Sequence, residues 1–429
     1  MPYMVQNQKP MADNNQYTNE KVQPKDFTSG WMIALIITGM GVSLPILYLG
    51  SEISLQLGFK NTLIAFGIST FVLTVLSMAT TLIGNRSRLS TYMILRVSFG
   101  EQGAKIINFI IGVSLLGWFS VALELLAQAI QSTSIETIGI HFPLWTVVIV
   151  GSIFITITTV YGIKTLEKLA NIAVPILLLF LIYVVYKSLG SELMTFETIL
   201  NYEPPAGGMT LFAATSTLIG SSILLPVLMA DFSRFIYNDK QSLISVLGIS
   251  VGFPLVLVIS AITSIQTGEI DIIQIMKSVD LIIPAFILLF VSTWVTNATN
   301  LYSVALTFST VHTSWSYTRM VIVCSVIGTI MALFGFSDYL FAFLNILGVF
   351  APSISAIYII DFFWLKNQQY DLDKIEKWGK EGLISWGVSS IVALFTYNEV
   401  FQITHAYFVD SFLVAGIVYL FLNRKLLKK

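Results

Sequence analysis

Gly39-Met40-Gly41-Val42-Ser43-Leu44-Pro45 is the stretch that decides the fold, together with its echo Gly220-Ser221-Ser222-Ile223-Leu224-Leu225-Pro226. Each runs Gly, four residues, Leu, Pro, and each interrupts an apolar segment of membrane-spanning length. Proline removes a backbone donor and clashes with the preceding turn, while glycine lets the chain leave the helix. At membrane depth the freed N–H and C=O groups are tolerated only where they line a buried cavity. Paired interruptions in the two halves of a chain therefore point to a binding site between them. The plainer alternative is two kinked helices.

The composition sets the class. Of 429 residues, 55% are hydrophobic and 11% are charged, against roughly a quarter charged in soluble proteins. Most of the chain belongs in a bilayer. A net charge of −1 leaves no nucleic-acid footprint. The one cysteine, Cys324, lies in an apolar segment and excludes an intramolecular disulfide or a thiolate cluster. His141, His312 and His405 are far apart, and HExxH, Walker and GxSxG motifs are lacking, so a hydrolase or ATPase has little support. No enzyme cofactor is expected. The polar start, with Asp13, Glu20 and Asp26, does not resemble a cleavable signal peptide.

After a polar tail over residues 1–28, apolar runs of about 20 residues recur. They fall near 31–50, 61–83, 106–132, 142–161, 166–188, 209–229, 242–264, 281–308, 319–336, 339–363, 381–398 and 403–423. With the N-terminus inside and alternating crossings, only Lys60, Lys187 and Lys277 of the 23 Lys and Arg fall outside. That asymmetry predicts an all-α, multi-pass protein of the plasma or inner membrane, with twelve spans and both termini cytoplasmic. Glu192, Glu197, Glu203, Glu269 and Asp271 then lie in outer loops. The tail is followed by a single transporter domain over 29–429.

The two interruptions open spans 1 and 6. Spans 1–5 (about 31–188) and 6–10 (about 209–363) each hold an odd number of crossings, so the two units are oppositely oriented. Spans 11 and 12 (about 381–423) follow. This arrangement resembles the five-plus-five inverted repeat of LeuT-type secondary transporters.

Several stretches resemble the nucleobase–cation symport-1 family, in its cytosine permease branch. They are Leu95-Arg96-Val97-Ser98-Phe99-Gly100, a loop of the R-x-S-F-G kind, then Gly117-Trp118-Phe119 and Ala230-Asp231-Phe232-Ser233-Arg234-Phe235. Pro284-Ala285, Trp294-Val295-Thr296-Asn297 and Tyr302 continue the pattern in span 8. The resemblance implies a symporter for a small planar heterocycle such as cytosine, a purine, hydantoin, allantoin or a vitamin precursor. A sodium ion or a proton would drive uptake, and a monomer is expected. Cargo contacts are expected from Trp118, which offers a stacking face, and from Ser221 and Ser222, whose hydroxyls suit N–H and C=O edges. Gly220, Ser43 and Asn297 complete that set. The sequence departs from the cytosine pattern in two places. Ser222 stands where that pattern has a stacking aromatic, and Leu115 where it has glutamine.

The implied sodium site uses carbonyls of Gly39, Val42 and Ser292 and hydroxyls at positions 295 and 296. Thr296 keeps its hydroxyl and Val295 does not. Within span 8, Ser292, Thr296 and Asn300 form one polar stripe, with Thr293 and Asn297 beside it. Glu124, a carboxylate inside span 3, is the candidate proton carrier. It lies six residues from Trp118, about 120° off that face. Asp231 and Arg234 are expected to shape an inner gate. Competing alternatives are a membrane-embedded enzyme, which would need clustered acids or histidines, and a channel.

Overall fold

A computed structural model describes residues 21–160, 163–189, 195–278, 281–311 and 314–424. The tail through Glu20, Glu192, His312 and the final Lys425, Lys428 and Lys429 lie outside the described residues, as do the side chains of Lys164, Lys168 and Ala285.

The chain is helical throughout its described core. In order, the helices are α1 (Gly30–Gly41), α2 (Leu44–Leu57), α3 (Phe59–Ser87), α4 (Thr91–Ile138), α5 (Leu144–Val160) and α6 (Ile163–Leu189). A short α7 (Phe196–Leu200) precedes α8 (Leu211–Ser222), α9 (Leu224–Val227), α10 (Met229–Ser233), α11 (Asp239–Ser245) and α12 (Phe253–Thr267). Then come α13 (Ile272–Ser278), α14 (Ile282–Val311), α15 (Tyr317–Leu333), α16 (Leu340–Ile360), α17 (Lys380–Tyr397) and α18 (Tyr407–Leu422). Every expected apolar run falls on a helix. Among the described residues, six continuous helical stretches are long and apolar enough to cross a membrane, or seven with the bent pair α1–α2.

The first interruption is a true break. α1 and α2 are bent by 59°. Val42 leaves the helical region (φ −81°, ψ 72°), and Pro45 sits in the first turn of α2, where its missing N–H costs nothing. The second interruption is milder than the sequence suggests. Ile223 keeps right-handed dihedrals (φ −61°, ψ −28°), and Leu211–Ser233 continues as one apolar stretch. Here proline only removes the donor for one carbonyl one turn back, and the neighbouring bonds Val227 N to Ile223 O (3.2 Å) and Leu228 N to Leu224 O (2.9 Å) hold the direction.

Close contacts lace two groups of neighbouring helices. In the first, α2 is joined to α12 by the Ser54–Ser264 hydroxyl pair (2.8 Å), and α3 to α11 by Thr81–Ser245 (3.3 Å). Gly84 lies so near α10 that a Cβ there would stand 2.6 Å from the Ala230 Cα. In the second, Ser152 on α5 pairs with Ser325 on α15 (2.9 Å), and Trp294 Nε1 on α14 donates to Thr158 Oγ1 on α5 (3.0 Å). A Cβ on Gly112 of α4 would lie 2.6 Å from the Phe308 ring of α14. Small residues allow such approach where no hydrophobic drive separates helix from lipid.

The expected R-x-S-F-G loop is instead helical. Thr91–Phe99 forms the first part of α4, and the helix turns at Gly100 (φ 73°, ψ 170°). Three backbone bonds fix that turn to the segment before α17: Gly379 N to Phe99 O (2.8 Å), Glu101 N to Glu376 O (2.9 Å) and Gln102 N to Lys377 O (3.0 Å). A Cβ at Gly100 would meet Gly379 N and stand 2.8 Å from the Trp378 carbonyl carbon. Gly100→Ala is predicted to cost roughly 1–3 kcal/mol from backbone strain. A thermal midpoint equal to wild type in detergent would contradict this account of the turn.

Candidate functional site

The α1–α2 break, the middle of α4, the end of α8 and the centre of α14 enclose a cavity of about 60 Å³. Ser43, Trp118, Ser221, Ser222 and Thr296 line it, so five expected residues converge from four helices. Trp118 is wedged edge-on by Phe343 of α16 (6.0 Å, 70°). Ser221 Oγ donates back to the Leu218 carbonyl (2.7 Å) and pairs with Ser222 Oγ (3.2 Å). Its donor is spent, so Ser222 is the hydroxyl left to answer a ligand.

Two expected contacts do not line the cavity. Gly220 packs against α16, where a Cβ would collide with the Leu344 carbonyl; its small size serves helix approach. Asn297 faces α4, and its Nδ2 donates to the Phe119 carbonyl (3.1 Å). Asn300, one position further along the polar stripe, lines the cavity instead, as does Ser303. Phe253 of α12 also reaches it, immediately after a π-helical turn over Gly248–Gly252. The sequence offered both stripes without deciding between them, and nothing in it announced the π turn.

The ion-side residues meet directly. Ser43 N turns to the Gly41 carbonyl (3.0 Å), which frees the Gly39 carbonyl, and Thr296 Oγ1 donates to it at 2.9 Å. One turn earlier on the same face, Ser292 Oγ is buried without a partner. Val295 presents an apolar side chain, and its carbonyl accepts from Thr299 Oγ1 (2.8 Å). Glu124 points elsewhere. Its Oε2 accepts from Ser337 N (2.8 Å), capping the 3-10 turn Phe336–Tyr339, and Gln128 Nε2 reaches its Oε1 (3.5 Å).

Two recesses flank the cavity. Toward one end, on the same face of α4, lies a recess of about 390 Å³ between Tyr48, Leu125, Ala129 and the loop through Asp271. Burial holds the Asp271 carboxyl above its usual range. Toward the other end only about 20 Å³ remains, around Ile33, Arg234 and Tyr302. Asp231 and Arg234 are both there. Asp231 Oδ1 accepts from Thr91 N (2.9 Å) at the start of α4, and the buried Arg234 donates through Nε to the Asp231 carbonyl (3.2 Å). Beside them the segment before α1 pairs with the chain after α10 through an isolated β-bridge, Thr28 to Ile236. Thr28 N bonds to Phe235 O (2.7 Å), and the Arg88 guanidinium lies over the Phe27 ring (4.1 Å).

This is the fold of a membrane permease. Residues 22–383 match the family described as permease for cytosine/purines, uracil, thiamine, allantoin. The chain belongs to that family, the nucleobase–cation symport-1 transporters, and is a permease rather than an enzyme. It is 24% identical over 363 residues to the cytosine permease of Escherichia coli (strain K12), covering 84% of each chain. It is 24% identical over 406 residues to the hydantoin permease of Microbacterium maritypicum, covering 89% of this chain and 81% of that one. Among solved structures it resembles Mhp1, a nucleobase-cation-symport-1 family transporter in a closed conformation with bromovinylhydantoin bound. The TM-score is 0.85 at 20% identity, over 96% of this chain and 95% of that one. A Na+-coupled sialic acid symporter in a substrate-bound outward-open state follows at a TM-score of 0.71 and 12% identity, over 97% and 93%.

One buried group escaped the sequence analysis. Tyr358 of α16 donates its hydroxyl toward the carbonyls of Pro226 (3.2 Å) and Val227 (3.0 Å), the backbone beside the second interruption. A lone tyrosine in an apolar run carries no signal of this. Tyr358→Phe takes this donor from both carbonyls, of which Pro226 keeps the bond from Leu228 N, and is expected to cost about 1–3 kcal/mol. Unchanged thermal stability of the purified variant would remove Tyr358 from this role.

Proposed function

We propose that the protein is a symporter that imports a small planar heterocycle by alternating access. The chain would form one transporter domain of twelve spans, two oppositely oriented units of five and two further helices, with both termini cytoplasmic. The observation that carries this proposal is the cavity itself. An aromatic ring, Trp118, and a cluster of polar groups, Ser43, Ser222 and Asn300, meet at the α1–α2 break. A flat ring stacks on the first and hydrogen-bonds with the second. Family relatives named for cytosine and for hydantoin agree with that cargo class.

The two laced bodies are the moving parts of this proposal. α1–α3 with α8–α12 would rock against α4, α5, α14 and α15, with the cavity on the seam. The wide recess at one end and the narrow one around Arg234 and Tyr302 suit a state that faces outward.

Sodium is the favoured driving ion. Gly39 and Val42 would offer carbonyls, Thr296 its hydroxyl, and Ser292 its carbonyl. The partnerless Ser292 hydroxyl, buried on the Thr296 face, would supply the oxygen that Val295 lacks. Glu124 already caps a turn on another face, which weighs against it as the proton carrier. Asp231 and Arg234 would close the inner path.

In proteoliposomes, Trp118→Ala is expected to abolish saturable uptake of labelled nucleobases and hydantoins. A protein that takes up no heterocycle in such a screen would not be this transporter. Ser292→Ala and Thr296→Ala should each remove the sodium dependence of binding, while Glu124→Gln keeps it. Uptake that persists without sodium and collapses with a protonophore would defeat the sodium assignment.

A further inference from the structure

A second cavity lies on the other side of α8 from the first. It holds about 470 Å³ between α2 and α8 on one wall and α16, α17 and α18 on the other. Its α8 lining, Phe212, Ala213, Ser216 and Thr217, lies before Gly220, which packs against the Leu344 carbonyl, while Ser221 and Ser222 beyond it line the first cavity. No residue of the central site lines it, and no lysine or arginine does. We propose that this crevice is a binding site for a small organic cation, a planar ring bearing a protonated amine.

Its chemistry is that of a cation receptor. Phe341, Tyr397 and Tyr407 supply ring faces and edges, and the last two pack edge-to-face at 5.4 Å and 83°. An ammonium over such a ring is attracted by its quadrupole. Glu52 and Glu399 supply carboxylates, and Gln56 Nε2 donates to Glu52 Oε1 and orients it. Asn345 Oδ1 accepts from Tyr407 Oη (2.8 Å) and Thr217 Oγ1 (3.3 Å), which fixes the amide in the wall.

The rim is built rather than incidental. Asp410, fully buried, gathers the loop between α17 and α18. Its carboxylate accepts from Thr396 Oγ1 (2.6 Å), Thr404 Oγ1 (2.6 Å), Thr404 N (3.1 Å) and Ile403 N (3.3 Å). That loop presents Glu399 and His405, both held at positive φ (59° and 61°), a conformation side chains avoid. Backbone strain of this kind persists where surrounding structure over-determines it, and it clusters at ligand sites. The inference does not rest on the proposed transport function.

Benzylammonium is the probe, titrated calorimetrically into the full-length protein in lipid nanodiscs. Saturable binding is expected, weakened about tenfold by Glu399→Gln and by Tyr397→Ala, as loss of one charge or ring contact implies. Trp118→Ala, which disrupts the central cavity, should leave it unchanged. Benzyl alcohol, the uncharged isostere, should bind at least roughly tenfold more weakly. Absence of saturation, loss of binding in Trp118→Ala, or equal binding of benzyl alcohol would each overturn the proposal. None of these measurements depends on transport, so a failed uptake assay would leave the cation site standing or falling on binding alone.

Discussion

The hydrogen bond from Thr296 to the Gly39 carbonyl is the contact on which the architecture turns. A helix broken inside a bilayer releases backbone groups that have no water to turn to. Each must find a partner from another element, and the partner fixes what packs there. Thr296 meets the freed carbonyl of the first break and so pins α14 beside α1. Tyr358 does the same beside the second interruption and pins α16 beside α9. The cavity is what lies between these two anchors. A site of this kind follows from the cost of unpaired backbone rather than from a separate design.

The same economy explains where side-chain polarity goes elsewhere. Serine and threonine pairs sit at helix seams, where they hold neighbours within each body. The buried carboxylates have structural duties: Glu124 caps a 3-10 turn, Asp231 receives the first N–H of α4, and Asp361 joins Ser98 (3.0 Å) to Tyr419 (3.0 Å). Ser292 shares its lack of a partner with other buried hydroxyls, Thr293 beside it among them, and what distinguishes it is its place one turn from Thr296 on the same face.

What the sequence disclosed and what it hid follow a physical line. Glycine and proline act locally, so the first break was legible residue by residue. Hydropathy placed the long apolar helices because the bilayer demands length and apolarity, and it passed over the short α7 and α13. Helical phase was harder. Asn297 and Asn300 belong to neighbouring stripes, and only the position of α4 tells which faces the cavity. Gly220 looked like part of a break because glycine permits one, yet its smallness is used for contact with α16. Phe253 enters the cavity after a π turn, which shifts the register of α12 without any compositional mark. The R-x-S-F-G segment reads as a loop by its family resemblance, and its glycine is a stop signal. The stop is real, but the residues before it are helical and held by backbone from a segment almost three hundred residues away.

The 59° bend between α1 and α2 has a mechanical meaning. Close glycine contacts within each group of helices leave little room for them to shift against one another. Between Gly39 and Ser43 the chain leaves the helical path, and the few torsions there offer a joint. A lever with one soft joint moves along a single arc, so displacement at one end is geared to the other. Close to such a pivot a short displacement becomes a long one at the far end of the arm, so a small change at the break would be read out as a large one at the protein's surface.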